Sequence, residues 1–247
     1  MEKNRKVQVR VRYTWLLTVT SIFAAISFIL TTIFIVATPA TKGFFNLGDS
    51  GVYIAALIGG PLVGALGGGI GSALADIFLG YSWYAPGTLI IKGIEGYIVG
   101  ITYMKLRNLS KEEKVVLSFS AAILLFLVLS YFGWHGATTV LRLGDKTFQV
   151  EISREIFVTT ALLLSMGIIY LGIRGGAKGV LIFSCILGGI EMVIGYFLYE
   201  AIVLGYGLVA IAEIPINVGQ MIIGSSIAVP VVVMLSEMGV DVESKWS

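Results

Sequence analysis

The sequence predicts an all-α integral membrane protein, and three observations carry that reading. Of its 247 residues 57% are hydrophobic and only 13% charged, against roughly 25% charged in soluble domains. Mean hydropathy is +0.93, and several apolar runs approach the ~20 residues with which a helix crosses a bilayer. These runs are apolar on every face rather than alternating in segments of about ten residues, which sets aside a membrane β-barrel. The net charge of +2 does not argue for nucleic acid, because Lys and Arg follow the ends of the runs instead of gathering on one face. The lone Cys185 excludes an internal disulfide. The lone His135 has no partners at ligand spacing, so no metal is expected.

The elements follow in order. Met1 to Arg12 carries five basic residues against Glu2, which puts the N-terminus in the cytoplasm. Tyr13 to Ala37 is too long for a signal-peptide core and reads as the first span. It carries small residues at four-residue spacing, Thr20 with Ala24 and Ser21 with Ala25, a face suited to close contact with a partner or with the rest of the chain. Pro39 ends it. Thr41 to Ser50 is then an external loop, in which Asn46 and Asp49 are candidate ligand contacts; Asp49 and Ser50 are equally good N-cap types. Gly51 to Gly60 is too short to span and must be tilted or joined to its neighbour by a kink at Gly59-Gly60-Pro61. From Pro61 to Leu79, Gly60, Gly64, Gly68 and Ser72 form one ridge and Gly67, Gly71 and Ala75 another, so that helix can be gripped on two sides.

Gly80 to Gly87 is an external turn with Tyr81, Trp83 and Tyr84, aromatics that suit either an interfacial belt or a ligand. The next span starts near Pro86 and carries Lys92 and Glu95 three residues apart on one face. Ionisable groups in a membrane helix are paired or functional, and a pair that merely cancels adds little stability, which favours a pathway or ligand role. Lys105, Arg107, Lys111 and Lys114 mark a cytoplasmic loop. Val115 to Phe132 and Ile156 to Ile173 are two further spans. Between them, alternation around Gly144-Asp145-Lys146 predicts a β-hairpin. A span from Val180 to about Tyr199 carries Glu191 and Tyr196 and ends near Glu200. A last span after Pro215 carries Asn217 and Gln220 on one face, and the tail is cytoplasmic. Of 17 Lys and Arg residues, this topology places twelve inside and four outside, with Lys92 in the membrane.

In this orientation Asn46, Asp49, Asp76, Trp83, Tyr84, Lys92, Glu95, Glu191, Tyr196, Glu200, Glu213, Asn217 and Gln220 all map to the outer half or the external face. Such a basin suits capture of a small, partly planar, hydrogen-bonding solute rather than a continuous pore. No phosphate loop is present: Gly172 to Gly179 misplaces Lys178, so ATP, if used at all, must be hydrolysed by another chain. Two other classes compete. A proton-coupled secondary transporter would use Glu95 or Glu191. A membrane enzyme would need Asp76, Lys92, Glu95 and Glu191 to converge with a nucleophile or metal, and no such signature is present; no enzyme is expected.

FFNLGDSG after the first span, the GGP break followed by GALGG, WYAPGTLIIKGIEG, and the late GYFLYE and EIPINVGQ together resemble the substrate-capturing S components of energy-coupling factor (ECF) transporters, in the riboflavin and hydroxymethylpyrimidine-type branch. The resemblance covers roughly residues 13–106 and 178–235. It implies a single transmembrane domain in the cell membrane, with a six-helix vitamin-binding core that docks on a membrane T component and two cytoplasmic ATPases and topples to release its cargo. It further implies no cofactor, the vitamin being substrate. On this reading the ligand set is Asn46, Asp49, Trp83, Tyr84, Lys92, Glu95, Glu191, Tyr196, Glu200, Asn217 and Gln220, with riboflavin favoured over a pyrimidine or pyridoxine. Thr20, Ser21, Ala24 and Ala25 stand where the family's Ala-x-x-x-Ala contact to the T component falls. Residues 113–174 are expected to be an inserted helical hairpin, giving eight helical segments in all.

Overall fold

The structure is a computed structural model and describes residues 2–143, 146–174 and 176–239. Gly144-Asp145 of the expected β-turn and the tail beyond Gly239 lie outside the described residues. Among the described residues eight α-helices run in antiparallel succession: α1 (Glu2–Ile33), α2 (Gly48–Val63), α3 (Gly69–Phe78), α4 (Ala85–Leu106), α5 (Lys111–Phe132), α6 (Arg154–Arg174), α7 (Gly176–Leu198) and α8 (Ile214–Glu237). Among the described residues six helical stretches are long and apolar enough to cross a membrane. Helix α4, at 22 residues, is about as long as the three shortest of them but carries Lys92 and Glu95 in its middle.

Gly48–Phe78 is one of the six by length and composition, yet it is folded back on itself. Gly60 has φ 81° and ψ −179°, non-helical values inside α2, and Pro61 follows, so the chain reverses at a residue free to adopt positive φ. A Cβ placed on Gly64 would lie 2.6 Å from the Cβ of Ala56, and one on Gly68 2.8 Å from Val52 Cγ1. In a straight helix Val52 and Gly68 would be ~24 Å apart. The first hairpin is therefore residues 48–59 against 61–78, its second limb passing through a π-helical stretch, Gly64–Gly68. The GGP kink and the two glycine ridges expected from the sequence meet here. Gly64 lies against α2 and α4, where a Cβ on Gly96 would sit 2.3 Å from the Gly64 carbonyl oxygen, and Gly71 lies against α1, 2.3 Å from the Ala24 carbonyl oxygen by the same construction.

Helix α1 stops at Ile33, four residues before the end expected from hydropathy. Val36–Thr38 instead forms β1 and pairs with β2 (Gly43–Phe45). The residue before Pro39 is biased toward extended backbone, and β-branched Val36 and Thr38 suit a strand. The expected hairpin is β3 (Ala137–Leu143) and β4 (Lys146–Ile152), antiparallel in full register from Ala137↔Ile152 to Leu143↔Lys146. It joins β1 through Ala37↔Arg142, making one four-stranded sheet of order β2-β1-β3-β4 at the end of the bundle where α1 finishes. Helices α5 and α6 pack on each other, with the Ser165 hydroxyl donating to the Ala122 carbonyl at 2.9 Å. They reach the remaining helices through α7, in a cluster that includes Leu125, Phe157, Ile168, Phe183 and Met192.

Candidate functional site

At the sheet-bearing end, four segments surround a cavity of about 30 Å³, partly open to solvent. Strand β2 and the loop after it contribute Gly43, Phe44 and Asn46. The tops of α3 and α4 supply Asp76, Tyr84 and Thr88, the end of α7 supplies Tyr196 and Glu200, and the start of α8 supplies Glu213, Asn217 and Gln220. Each segment arrives here because the helices alternate in direction, so polar residues placed near the same end of successive spans converge.

Hydrogen bonds fix the walls. The Asn46 amide donates to Gln220 Oε1 at 2.6 Å, Asn46 Oδ1 accepts from the Gly48 amide at 2.7 Å, and Gln220 Nε2 donates to Asn217 Oδ1 at 3.3 Å. Tyr196 donates to Thr88 Oγ1 at 3.0 Å, and Thr41 donates to Glu213. The Tyr84 hydroxyl faces two acceptors, the Thr41 carbonyl at 2.9 Å and Glu200 Oε1 at 3.1 Å. Burial, then Glu200 and Glu213 beside it, push its pKa well above the usual phenol value, so it remains a proton donor. Asp76 Oδ2 and Glu200 Oε2 are buried without a hydrogen-bond partner among the described residues. Because buried acceptors are ordinarily satisfied, the cleft has unmet demand for donors. Aromatic rings continue outward from Phe44 in the lining, with Phe44 and Tyr81 centroids 4.5 Å apart and Tyr81 and Trp83 5.8 Å apart.

Two turns further along α4, Lys92 bridges Asp49 of the first hairpin and Glu95, the latter at 2.9 Å. Asp49 and Glu95 are 0% exposed and Lys92 2%, and the Lys92 ammonium lies 5.6 Å from the Tyr196 ring centroid. This network is the floor of the cleft. A buried ammonium shared by two carboxylates orients all three, since removing any one leaves an uncompensated charge.

Of the eleven ligand residues expected from the sequence, Asn46, Tyr84, Tyr196, Glu200, Asn217 and Gln220 line the cavity. Asp49, Lys92 and Glu95 lie beneath it, and Glu191 is half-buried on α7. Trp83 is 45% exposed on the rim, its carbonyl accepting from Tyr199 at 2.6 Å. Asp49 does not cap a helix: α2 begins at Gly48, with Leu47 at the N-cap and no side-chain cap bond. Gly43, Thr41 and Thr88 belong to the site and carried no sequence signal. A Cβ on Gly43 would come 3.2 Å from the Tyr84 hydroxyl, a closeness only tertiary structure reveals. On α1, Thr20 and Ala24 face Gly67 and Gly71 of the same chain, leaving Ser21 and Ala25 exposed.

The model of the family described as ECF-type riboflavin transporter, S component, matches residues 13–175. Two curated proteins are similar over shorter stretches. An uncharacterized protein in gap 3'region of Pyrococcus woesei is 53% identical over 62 residues, 25% of this chain and 41% of that protein. Thiamine precursor transporter HmpT of Lactococcus lactis subsp. cremoris (strain MG1363) is 36% identical over 93 residues, 37% of this chain and 56% of that protein. The chain thus spans about half the length of the curated relatives it matches. No solved structure matches it significantly. The chain belongs to the ECF-type riboflavin transporter S component family, a family of transporter subunits and not of enzymes.

Proposed function

We propose that this protein captures a vitamin-type heterocycle from outside the cell and delivers it as the S component of an ATP-driven ECF transporter, with both termini cytoplasmic. The observation that carries the proposal is the convergence of Asn46, Tyr84, Tyr196, Glu200, Asn217 and Gln220 on one cavity at the end away from the basic N-terminal run. The unmet acceptors Asp76 and Glu200 favour a heterocycle bearing amino or hydroxyl donors, of the hydroxymethylpyrimidine type, in keeping with the thiamine precursor cargo of the Lactococcus relative. Riboflavin is the second reading, favoured by the family's description and by the aromatic mouth.

Residues 13–106 and 178–235 form the vitamin-binding core in this proposal, and 113–174 a helical hairpin added to it. The ligand is held by the eleven residues named above, six in the cavity wall and the others at its floor and rim. Ser21 and Ala25 are the part of the first-helix motif left free for a T component; ATP hydrolysis belongs to partner ATPases. The test is a visible spectrum and mass spectrometry of small molecules extracted from protein purified gently without added ligand. A colourless preparation carrying a pyrimidine supports the first reading, and absorption near ~450 nm, the flavin band, the second. No retained heterocycle, with uptake by the protein alone in proteoliposomes, would replace both with a secondary transporter.

A further inference from the structure

Three carboxylates line the polar cleft: Asp76 from α3, Glu200 just past the end of α7, and Glu213 at the N-cap of α8. Among the described residues no Lys, Arg or His stands with them in the lining. All three are buried, Asp76 4% exposed, Glu213 3% and Glu200 2%. Lys92 lies beneath and is already shared by Asp49 and Glu95, so it leaves the lining no positive charge.

The walls meet only part of this demand. Glu213 accepts from Thr41, and the single Tyr84 proton is divided between Glu200 Oε1 and the Thr41 carbonyl. Glu200 Oε2 and Asp76 Oδ2 keep no partner among the described residues. Carboxylates buried together without a cation are costly, because each opposes the ionised form of its neighbours. A positively charged donor would satisfy both orphaned oxygens and cancel the charge. Space agrees with this: about 30 Å³ admits a group the size of a water molecule, such as an N–H group, with Phe44 of the lining and Tyr81 and Trp83 beyond it offering ring faces to a flat cation.

We infer that the cargo is bound as a cation, a protonated amino-heterocycle whose charged N–H group sits between Asp76 and Glu200 and whose ring faces Phe44, and that anionic forms such as phosphate esters are refused. The inference rests on the reading of the cleft as the cargo site and goes beyond it in fixing the charge of the cargo. Refusal comes from the same carboxylates, since an unpaired like charge brought against them is a built-in penalty for the wrong ligand.

The test is titration calorimetry of the full chain in detergent, at one neutral pH, with probes of nearly one shape derived from the hydroxymethyl aminopyrimidine. In the first, CH replaces one ring nitrogen, keeping the nitrogen opposite the amino group, which gives an aminopyridine that is cationic at neutral pH. In the second, CH replaces both nitrogens, which gives an uncharged aniline. The third is the phosphate ester of the aminopyrimidine, and riboflavin is the uncharged comparison of different shape. The aminopyridine is expected to bind at least ~tenfold more tightly than the aniline, and the phosphate ester not to bind. Glu200→Gln and Asp76→Asn are each expected to cut the preference for the cation about five-fold, weakening the aminopyridine and not the aniline, a change in ratio that a merely structural role would not produce. Should either variant fail to fold, the probes on the native chain decide alone. Equal binding of aminopyridine and aniline, binding of the phosphate ester, or a ratio unchanged in both variants would overturn the inference. Riboflavin bound more tightly than the aminopyridine would overturn it while leaving the cleft a cargo site, whereas binding of no heterocycle at all would overturn both.

Discussion

Two helical hairpins in this molecule have opposite characters. In the first, residues 48–78, 67% of the most apolar window is buried inside the protein; in α5 and α6 the corresponding shares are 28% and 24%. The first is built on glycine, so backbones touch and no side chain separates α2, α3 and α4. The second exposes Ile123, Leu124, Leu127, Leu162, Leu163 and Met166, which suits contact with lipid chains. In a bilayer no hydrophobic force drives helices together, so close packing has to come from small residues. The difference shows what glycine accomplishes here: it brings α2 near enough to α4 for Asp49 to meet Lys92, whereas the leucine-rich pair carries no buried charge among its described residues.

Four perturbations break or sharpen this contrast, the largest first. Lys92→Met leaves Asp49 and Glu95 buried without their cation, and is expected to destabilise the protein by about 3–5 kcal/mol. Adding Asp49→Asn should recover part of that loss, read as thermal unfolding in detergent; full stability of the single variant would mean the network contributes nothing. Gly96→Val drives a side chain into the Gly64 carbonyl, backbone that cannot move aside, with an expected cost of about 3 kcal/mol. Loss of the monodisperse peak in size-exclusion chromatography is the readout. Asn217→Ala removes a cavity-wall amide that accepts from Gln220, and is expected to weaken ligand binding at least ~tenfold while the protein stays folded, as titration calorimetry would register. Gly167→Val on α6, where an added Cβ meets nothing within 4 Å, should move the melting point by no more than ~0.5 kcal/mol equivalent. A loss there as large as at Gly96 would erase the distinction between the hairpins.

Much of this organisation was legible in the sequence because membrane chains state their rules openly. GGP marked a break at Gly60, which the structure makes a full reversal, and four-residue glycine spacing announced the two gripped faces of the returning limb. Lys92 and Glu95 stood out as charges in an apolar run, and Asn217 and Gln220 as paired amides. The end of α1 was not legible, because Phe34 to Ala37 is as hydrophobic as the helix before it; what turns it into a strand is the pairing of Val36–Thr38 with Gly43–Phe45. Asp49 looked like a cap because its true partner lies 43 residues away in α4. Thr88 and Gly43 gave no signal for a similar reason. A threonine in a helix and a glycine in a loop are ordinary until Tyr196 and Tyr84 arrive from elsewhere.

The central claim is that the polar cleft opens outside the cell and holds the cargo. Its most direct test is labelling of Phe44→Cys, in a Cys185→Ala background, by a membrane-impermeant maleimide on intact cells, with and without hydroxymethylpyrimidine or riboflavin. Phe44 lines the cavity and is half-buried, and Cys185, the one native thiol, is buried. The expected result is labelling from outside that one of the two heterocycles blocks. Labelling only after the cells are opened, or labelling that neither heterocycle reduces, would contradict the account.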